Sequence, residues 1–274
     1  AVAACAAAHA QDEEPQAGFV DHGVGAAVAE SRGFVAAQDA EGNPLLIALS
    51  LDQSPRGWIL LIDPNTGETE QFYYPEGVPN SPPYASLMSD NGRFYTFAGK
   101  VLLEFDPAAR EWLFNGIPPP GEACVTGEAV IDGTDGRIYA GTNPRCRLVS
   151  YDPQTQEMRD HGQLDDAEHY VNYMAMDDSG WVYAGIGTAR QNVVAFNPET
   201  GERVQIPSEE QRVLGTGIVR KATDGFVYGK VGDTWWRLHE GQAEVVAVED
   251  VAGAVPNGSI GWGERAATLA DGTV

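Results

Sequence analysis

The sequence predicts an all-β fold, a β-propeller of four-stranded antiparallel blades, and two periodic markers indicate it. A glycine followed by an aromatic or apolar strand recurs at intervals of 50, 44, 44, 45 and 47 residues, at Gly42, Gly92, Gly136, Gly180, Gly225 and Gly272. An Asp-Pro or Asn-Pro turn keeps the same period, with intervals of 43, 46 and 45 residues, at Asp63, Asp106, Asp152 and Asn197. Self-similarity of this kind is the signature of a repeat architecture.

Each repeat contains four short apolar segments separated by turn residues, as the fourth repeat illustrates. Its predicted strands span residues 173–176, 181–185, 192–196 and 203–206. Apolar and polar residues alternate along them, and Gly, Pro, Asn and Ser separate them, as expected for strands joined by tight turns. No segment has the sustained 3.6-residue periodicity that a helical solenoid requires. Four antiparallel strands in about 45 residues are typical of a propeller blade.

The repeats divide the chain into an N-terminal processing segment and one propeller domain. Asp21-His22-Gly23 matches Asp160-His161-Gly162 at the end of the third repeat, so we expect the first strand to close the last blade and remove an exposed edge. We therefore expect a truncated propeller, with about seven blades when complete. The predicted boundaries are a signal-peptide remnant at 1–10 and the propeller at 11–274, with a closing strand near 18–23, five blades at about 24–253 and the start of a sixth at 254–274.

The first ten residues predict export from the cytoplasm. They are small and apolar, and Ala8-His9-Ala10 fits the small-x-small pattern of signal-peptide cleavage. An alternative is a lipoprotein signal, in which Cys5 would be acylated. Either alternative makes the mature protein secreted or periplasmic.

Cleavage would leave two cysteines, Cys124 and Cys146, in an oxidising compartment. An even pair in such a compartment predicts a disulfide. The 21 residues between them do not fit the short paired spacings of zinc sites, so we expect no metal there.

The formal net charge of -23 limits the classes of partner. It argues against nucleic acid and anionic membranes, because binding to both depends on basic residues. Two interpretations stay open: solvation in an extracellular medium, or carboxylate sites for a cationic ligand or for Ca²⁺ as a cofactor. No run of about 18 apolar residues occurs, so we expect no membrane span.

Two strand motifs, Ile138-Tyr139-Ala140-Gly141 and Val182-Tyr183-Ala184-Gly185, carry a family resemblance together with the Pro-x-Thr-Gly turns. They resemble secreted bacterial propellers of the YVTN, virginiamycin B lyase and quinoprotein-like groups, over about residues 20–274. The resemblance implies the fold and leaves the activity open among lyases acting on polysaccharides or lactones, lactonases, dehydrogenase scaffolds and binding modules. No catalytic motif matches residue by residue, and the Gly-His and Trp-Asp pairs of WD repeats are absent.

Propeller topology indicates which loops carry function. The loops that enter the first strand of a blade, and those between its second and third strands, meet on one face around the channel mouth. His169 and Tyr170 precede the first strand of the fourth repeat and are the candidate base and acid of a β-elimination on a uronic-acid sugar. Candidate substrate-binding residues on the same loops and strand ends are Arg145, Arg147, Arg190 and Asn172. The arginines would neutralise a substrate carboxylate.

Each candidate residue also has a structural interpretation. Tyr170 could be a blade-packing aromatic, His169 a solvated loop residue, and the arginines partners of local carboxylates. Trp235-Trp236 is a candidate sugar-stacking platform, because strand alternation turns one ring away from the core face.

Three functions follow from these alternatives. The first is an exported propeller that engages an extracellular carbohydrate or other small ligand at the channel mouth, with polysaccharide lyase activity on uronic-acid glycans as its enzymatic form. The second is a non-catalytic binding or scaffold module, attached to a further domain. The third is a metal-dependent lactonase, which needs three or four carboxylate or Asn ligands converging on the channel.

Overall fold

Five four-stranded antiparallel blades make up the computed structural model, which describes residues 30–51, 54–81, 85–124 and 128–253. Blade I consists of β1 (Glu30–Gln38), β2 (Pro44–Leu51), β3 (Trp58–Ile62) and β4 (Thr69–Tyr73). Blade II consists of β5 (Ser86–Met88), β6 (Phe94–Ala98), β7 (Val101–Asp106) and β8 (Glu111–Gly116). Blade III consists of β9 (Val130–Asp132), β10 (Ile138–Gly141), β11 (Arg147–Tyr151) and β12 (Met158–Gln163).

Blade IV consists of β13 (Val171–Met176), β14 (Val182–Thr188), β15 (Asn192–Phe196) and β16 (Arg203–Gln205). A short strand, β17 (Gly215–Thr216), pairs with the end of β14. Blade V consists of β18 (Ile218–Lys221), β19 (Val227–Val231), β20 (Thr234–His239) and β21 (Gln242–Val246). Two 3-10 turns span Glu209–Gln211 and Val248–Asp250. The predicted propeller fold is confirmed, and the strands of the fourth repeat lie where the sequence predicts them.

The strand order determines which strands of each blade are innermost and which are outermost in the propeller. Within each blade the strands lie side by side in chain order. The first strands of consecutive blades contact one another, in the order β1, β5, β9, β13 and β18. The fourth strands β4 and β21 are mostly exposed. The first strands are therefore innermost, and the mouth loops predicted from the topology converge around them.

The apolar cores lie between neighbouring blades. Side chains of blades I and II form one cluster, those of blades II, III and IV a second, and those of blades IV and V a third. Phe94, Leu103 and Ile59 of the first cluster are completely buried. Burying a side chain of this size stabilises the fold by roughly 1.5–3 kcal/mol. Each blade thus depends on its neighbours for most of its apolar contacts.

The turn between the first and second strands explains the glycine-aromatic marker. In blade III the Tyr139 hydroxyl donates to Asp135 Oδ2 (2.9 Å), and in blade V the Tyr228 hydroxyl donates to Asp224 Oδ2 (2.7 Å). The intervening Gly136 has φ +79°, in the left-handed region that glycine adopts without strain. In blades III and V the marker therefore encodes a turn whose acidic residue is held by a tyrosine four positions later.

The turn between the third and fourth strands explains the Asp-Pro marker. Asp152 Oδ1 accepts hydrogen bonds from the backbone N–H groups of Gln154 (2.9 Å) and Thr155 (3.2 Å). This is an Asx turn, in which a short polar side chain replaces a backbone acceptor. The same pair of hydrogen bonds occurs at Asp63, Asp106 and Asn197. The repeat signature is thus turn chemistry on the face opposite the mouth.

Several sequence predictions lie outside the described residues. They are the signal-peptide remnant at 1–10 with Cys5, the closing strand near 18–23 and the start of a sixth blade at 254–274. Within the described part of the chain, no helix has the length and apolar character needed to cross a membrane.

Candidate functional site

The loop 164–170, which enters β13, presents His169 at the channel mouth. The imidazole is exposed, and its Nδ1 lies 2.7 Å from the backbone carbonyl oxygen of Pro144, in the loop between β10 and β11. A carbonyl oxygen only accepts hydrogen bonds, so Nδ1 carries the proton in this contact. In the neutral ring the remaining nitrogen, Nε2, then has a free lone pair. The site therefore holds an imidazole whose free nitrogen can accept a proton or a hydrogen bond.

Tyr170 and Asn172 follow His169 into β13. Tyr170 is half-buried, and its carbonyl oxygen accepts a hydrogen bond from the backbone N–H of Gly187 (3.3 Å). Asn172 Nδ2 donates to the carbonyl oxygen of Gly187 (2.8 Å) and to Thr216 Oγ1 (3.4 Å). Asn172 therefore fastens the pairing of β14 with β17, and its amide nitrogen is engaged by the protein rather than free for a ligand.

The three candidate arginines lie on the mouth loops or strand ends as expected, and each pairs with a carboxylate. Arg145 Nε donates to Glu122 Oε1, across the loops that flank blade III. The Arg145 side chain is still 56% exposed, so most of its guanidinium faces solvent. Arg190 pairs with Glu209 (2.8 Å) and is 43% exposed.

Arg147 is the most enclosed of the three arginines. Its Nε and Nη2 donate to the two carboxylate oxygens of Asp160 (3.1 and 2.6 Å), a bidentate pair across β11 and β12. Burial raises the pKa of Asp160, but the hydrogen bonds from Arg147 and from the Gly162 N–H outweigh burial and hold the pKa below its usual value. Arg147 therefore supports blade III and has little guanidinium surface left for a ligand.

A buried carboxylate beneath His169 holds two mouth loops together. Glu168 is 3% exposed, and it accepts hydrogen bonds from the backbone N–H groups of Thr188 (2.8 Å), Ala189 (3.3 Å) and Arg190 (2.5 Å). These three groups lie at the end of β14 and in the loop between β14 and β15. Glu168 is a site residue that the sequence did not predict, because its partners lie 20 to 22 positions away along the chain.

A second buried carboxylate, Asp165, orders the rest of the same loop. Its Oδ1 accepts the backbone N–H groups of Ala167 (2.9 Å) and Glu168 (3.1 Å). Its Oδ2 accepts a hydrogen bond from Nη2 of Arg212 (2.6 Å). The side chain of Asp165 is 3% exposed and that of Arg212 is 5% exposed. An ion pair this deeply buried is strongly destabilising to break, because one charge is left without a partner. The position of His169 is thus fixed by contacts with blade III, with the end of β14 and with the segment between β16 and β17.

The two tryptophans are separated by the strand alternation that the sequence predicts. Trp236 is 4% exposed and packs in the core between blades IV and V, so it is not available to a ligand. Trp235 is half-buried on the other side of β20, with the Arg220 guanidinium 5.2 Å and the Lys230 ammonium 5.6 Å from its ring centre. Trp235 therefore makes cation–π contacts within blade V. The buried Trp236 is therefore no longer a candidate ligand-binding residue.

The predicted disulfide between Cys124 and Cys146 is absent, and both side chains are buried in the second core cluster. The Cys124 thiol contacts the carbonyl oxygen of Ala129 (3.8 Å), within its own loop. Burial raises the pKa of Cys146, and the nearby carboxylates Asp165 and Glu168 add to the effect. Both side chains are completely buried, so the two cysteines serve as core residues.

The described residues contain no group of three or more His, Cys, Asp or Glu side chains that could hold a metal ion. The buried carboxylates of the mouth are each engaged by N–H donors or arginines instead. The convergent ligand set that the lactonase hypothesis needs is therefore not found in this part of the chain.

This protein is similar to known proteins in structure only. No family model and no curated protein matches the sequence. A catalytically inactive His-to-Ala variant of virginiamycin B lyase from Staphylococcus aureus, with quinupristin, aligns with a TM-score of 0.58 and 11% identity, over 80% of this chain and 71% of that one. A streptogramin B lyase aligns with a TM-score of 0.57 and 11% identity, over 85% of this chain and 72% of that one.

A third solved structure with this architecture is PorZ, a bacterial surface component of the type-IX secretion system of Porphyromonas gingivalis. It aligns with a TM-score of 0.51 and 16% identity, over 74% of this chain and 33% of that one. At this level of identity the likeness concerns the fold and not the activity. The chain therefore has the β-propeller architecture shared by these lyases and by a surface component of a secretion system.

Proposed function

We propose that this protein is an exported β-propeller whose channel-mouth face binds an extracellular carbohydrate, with His169 as its central contact. The observation that carries the proposal is the exposed imidazole, whose Nδ1 faces the Pro144 carbonyl oxygen at 2.7 Å. With Nδ1 engaged, Nε2 of this exposed residue is left as a hydrogen-bond acceptor, and sugar hydroxyl groups are suitable donors. The acidic composition and the N-terminal sequence support an extracellular location.

Two buried carboxylates beneath His169 hold the surrounding loops rigid, which favours ligand binding. Asp165 and Glu168 are buried, and their hydrogen bonds fix the loop before β13 and the loop between β14 and β15. Sites held in place lose little conformational entropy when a ligand binds. Tyr170, Arg145 and Arg190 surround this support and supply a half-buried aromatic ring and partly exposed guanidinium groups.

The pairing of the arginines bears on which carbohydrate is bound. Glu122, Asp160 and Glu209 offset the charges of Arg145, Arg147 and Arg190, so the mouth is not strongly cationic. Long-range attraction of a polyanion is therefore weak. The remaining N–H donors of Arg145 and Arg190 still suit a single carboxylate or several hydroxyls. We favour short-range recognition of a sugar unit, neutral or carrying one uronate.

A second candidate function is β-elimination on a uronic-acid glycan at the same site. His169 Nε2 would take the proton from the carbon next to the carboxylate, and the electron pair would form the carbon–carbon double bond. The bond to the glycosidic oxygen would break, and the Tyr170 hydroxyl would protonate that oxygen. The observation that favours this candidate is the 2.7 Å contact of His169 Nδ1 with the Pro144 carbonyl oxygen, which leaves Nε2 as the base nitrogen. A non-catalytic binding module has the same surface without turnover.

Glycan binding and turnover by matched variants test both functions. The wild-type protein and the His169→Ala variant are assayed on an array of neutral and uronate oligosaccharides, and the ultraviolet absorbance of unsaturated product is followed in parallel. His239→Ala, on the opposite face at the end of β20, is the control. We expect His169→Ala to weaken binding at least about ten-fold and the control to bind normally.

The outcomes separate the alternatives. Binding that survives His169→Ala together with Tyr170→Phe contradicts the proposed site. Unsaturated product that forms with wild type and is lost with His169→Ala supports the lyase, whereas binding without product supports the non-catalytic module. Binding abolished by a chelator contradicts both and supports the metal-dependent alternative.

A further inference from the structure

A cleft between blades III and IV lies away from the channel mouth and has no part in the site above. Its volume is about 300 Å³, which suits one small molecule. The lining comes from strands of blade III and from three turns on the face opposite the mouth. The residues that matter for its chemistry are Tyr139, Ser150, Glu157, Arg159, His161 and Glu199.

The floor of the cleft is polar and held in place. His161 lies in a β-bulge of β12, where Leu148 pairs with Gly162 and Val149 pairs with Asp160. The bulge places the imidazole between the rings of Tyr139 and of Phe196 in blade IV. The centroid of each ring is 5.7 Å from the centroid of the imidazole. Ser150 Oγ and His161 Nε2 are 2.9 Å apart. Burial, then the charges of Arg159 and Arg137, lower the pKa of His161 to about 4, so the floor is uncharged at neutral pH.

The charges around the rim do not cancel. Arg137 is offset by Asp135 (2.7 Å) and Asp152 (3.6 Å). Within the described ranges, neither Arg159 nor either of the glutamates Glu157 and Glu199 makes an ion pair. Arg137 faces two carboxylates, so that group keeps one net negative charge. Apart from it, one positive and two negative side chains face the cleft. A ligand that matches them carries one negative and two positive charges.

We propose that this cleft binds a free basic amino acid, with its carboxylate at Arg159, its α-ammonium group at Glu157 and its side-chain ammonium group at Glu199. The guanidinium of Arg159 suits a carboxylate, because its planar N–H groups match two oxygens. Glu157 belongs to the turn of blade III and Glu199 to the turn of blade IV, so the ligand bridges the two blades. Ser150 and His161 supply the uncharged floor.

Calorimetric titration of the full chain with three probes tests the charge pattern. L-lysine carries all three charges, cadaverine lacks the carboxylate, and norleucine lacks the side-chain ammonium. We expect saturable binding of L-lysine, and binding of the other two weaker by about ten-fold or more, because each loses one charged contact. No saturable heat with millimolar L-lysine, or equal binding of all three probes, overturns the proposal.

Matched variants locate the site. Arg159→Gln should remove the preference for L-lysine over cadaverine, and Glu199→Gln should remove the preference over norleucine. Arg237→Gln, whose arginine pairs with Glu244 on blade V, should bind L-lysine as the wild type does. His169→Ala should also leave L-lysine binding unchanged, which separates this cleft from the mouth. Retention of both preferences in the cleft variants contradicts the assignment.

Discussion

Glu104 and Asp177 are buried carboxylates that each join two blades. Glu104 is 1% exposed and accepts hydrogen bonds from Arg93 (2.6 Å) in blade II and from the Tyr151 hydroxyl (2.6 Å) in blade III. Asp177, which is completely buried, accepts the backbone N–H of Glu240 (2.8 Å) in blade V. Burial raises the pKa of Asp177, but hydrogen bonds from Ser179, Glu240, Trp181 and Tyr183 outweigh burial and lower it. Single carboxylates thus act as contacts between blades.

His161 gives a prediction about acid stability. Its pKa in the folded protein is about 4, below the ordinary value of 6.5. The unfolded chain therefore binds the proton more readily between these values, and the free energy of unfolding falls as the pH drops from about 6.5 to about 4. After allowance for partial exposure, His161 should account for a loss of about 2 kcal/mol over this window.

Urea unfolding measures this contribution. The free energy of unfolding is compared between about pH 7 and about pH 4 for wild type and for His161→Gln. The variant should lose about 2 kcal/mol less than wild type across the window. Equal losses in the two proteins would show that the folded and unfolded chains protonate His161 alike.

At the scale of elements, three of the third-to-fourth-strand turns share a threonine but differ in the residue that follows it. The position after the threonine has φ +74° at Gly67 and +77° at Gly201, whereas Gln156 takes φ +59° at the same place. A side chain in this region costs about 1 kcal/mol, which glycine avoids. A Cβ added to Gly201 would have no atom within 4 Å, so its substitution tests the backbone alone.

We expect Gln156→Gly to stabilise blade III by up to about 1 kcal/mol and Gly201→Gln to destabilise blade IV by a similar amount. Thermal unfolding of the two single variants and of the double variant measures the changes. The double variant should unfold near the wild-type temperature, because the two turns are separate and their effects add. Two changes of the same sign would contradict the backbone explanation.

The repeat could be predicted from the sequence because its signals are local. The Asp152 turn and the Tyr139–Asp135 contact involve residues at most four positions apart, so their spacing appears directly in the sequence. The candidate site is different. Asp165 and Arg212 are 47 positions apart in the sequence, and no local sequence pattern predicts that they pair. The positions of the loops follow from the order of strands in the repeat, whereas the carboxylate partners of Arg145, Arg147 and Arg190 do not.

The disulfide prediction failed for the same reason. Cys124 and Cys146 lie on loops of the same face, but each thiol is buried among neighbours that only the fold defines. Strand alternation did predict that Trp235 and Trp236 point to opposite sides, although it could not tell which ring contacts Arg220 and Lys230. Directions along one strand follow from the sequence, whereas contacts between blades need the structure.

At the scale of the whole molecule, the charge of -23 predicts a salt effect. Excess like charges repel one another in the compact state, and salt screens them. Raising sodium chloride from about 0.01 M to about 0.5 M should raise the melting temperature by roughly 2–5 °C. Calcium chloride at matched ionic strength is the comparison, since a gain beyond screening would reveal a specific carboxylate site. A melting temperature that falls or stays constant in sodium chloride contradicts the charge argument.

The central claim is that ligand recognition occurs at the channel mouth around His169. Amide hydrogen exchange with and without a glycan that binds on the array tests it most directly. We predict slower exchange in the mouth loops at 142–146, 164–170 and 189–191, and no change in the opposite turns at 63–67 and 152–156. Slower exchange confined to the opposite turns, or no protection of the mouth loops at saturating glycan, would contradict the claim.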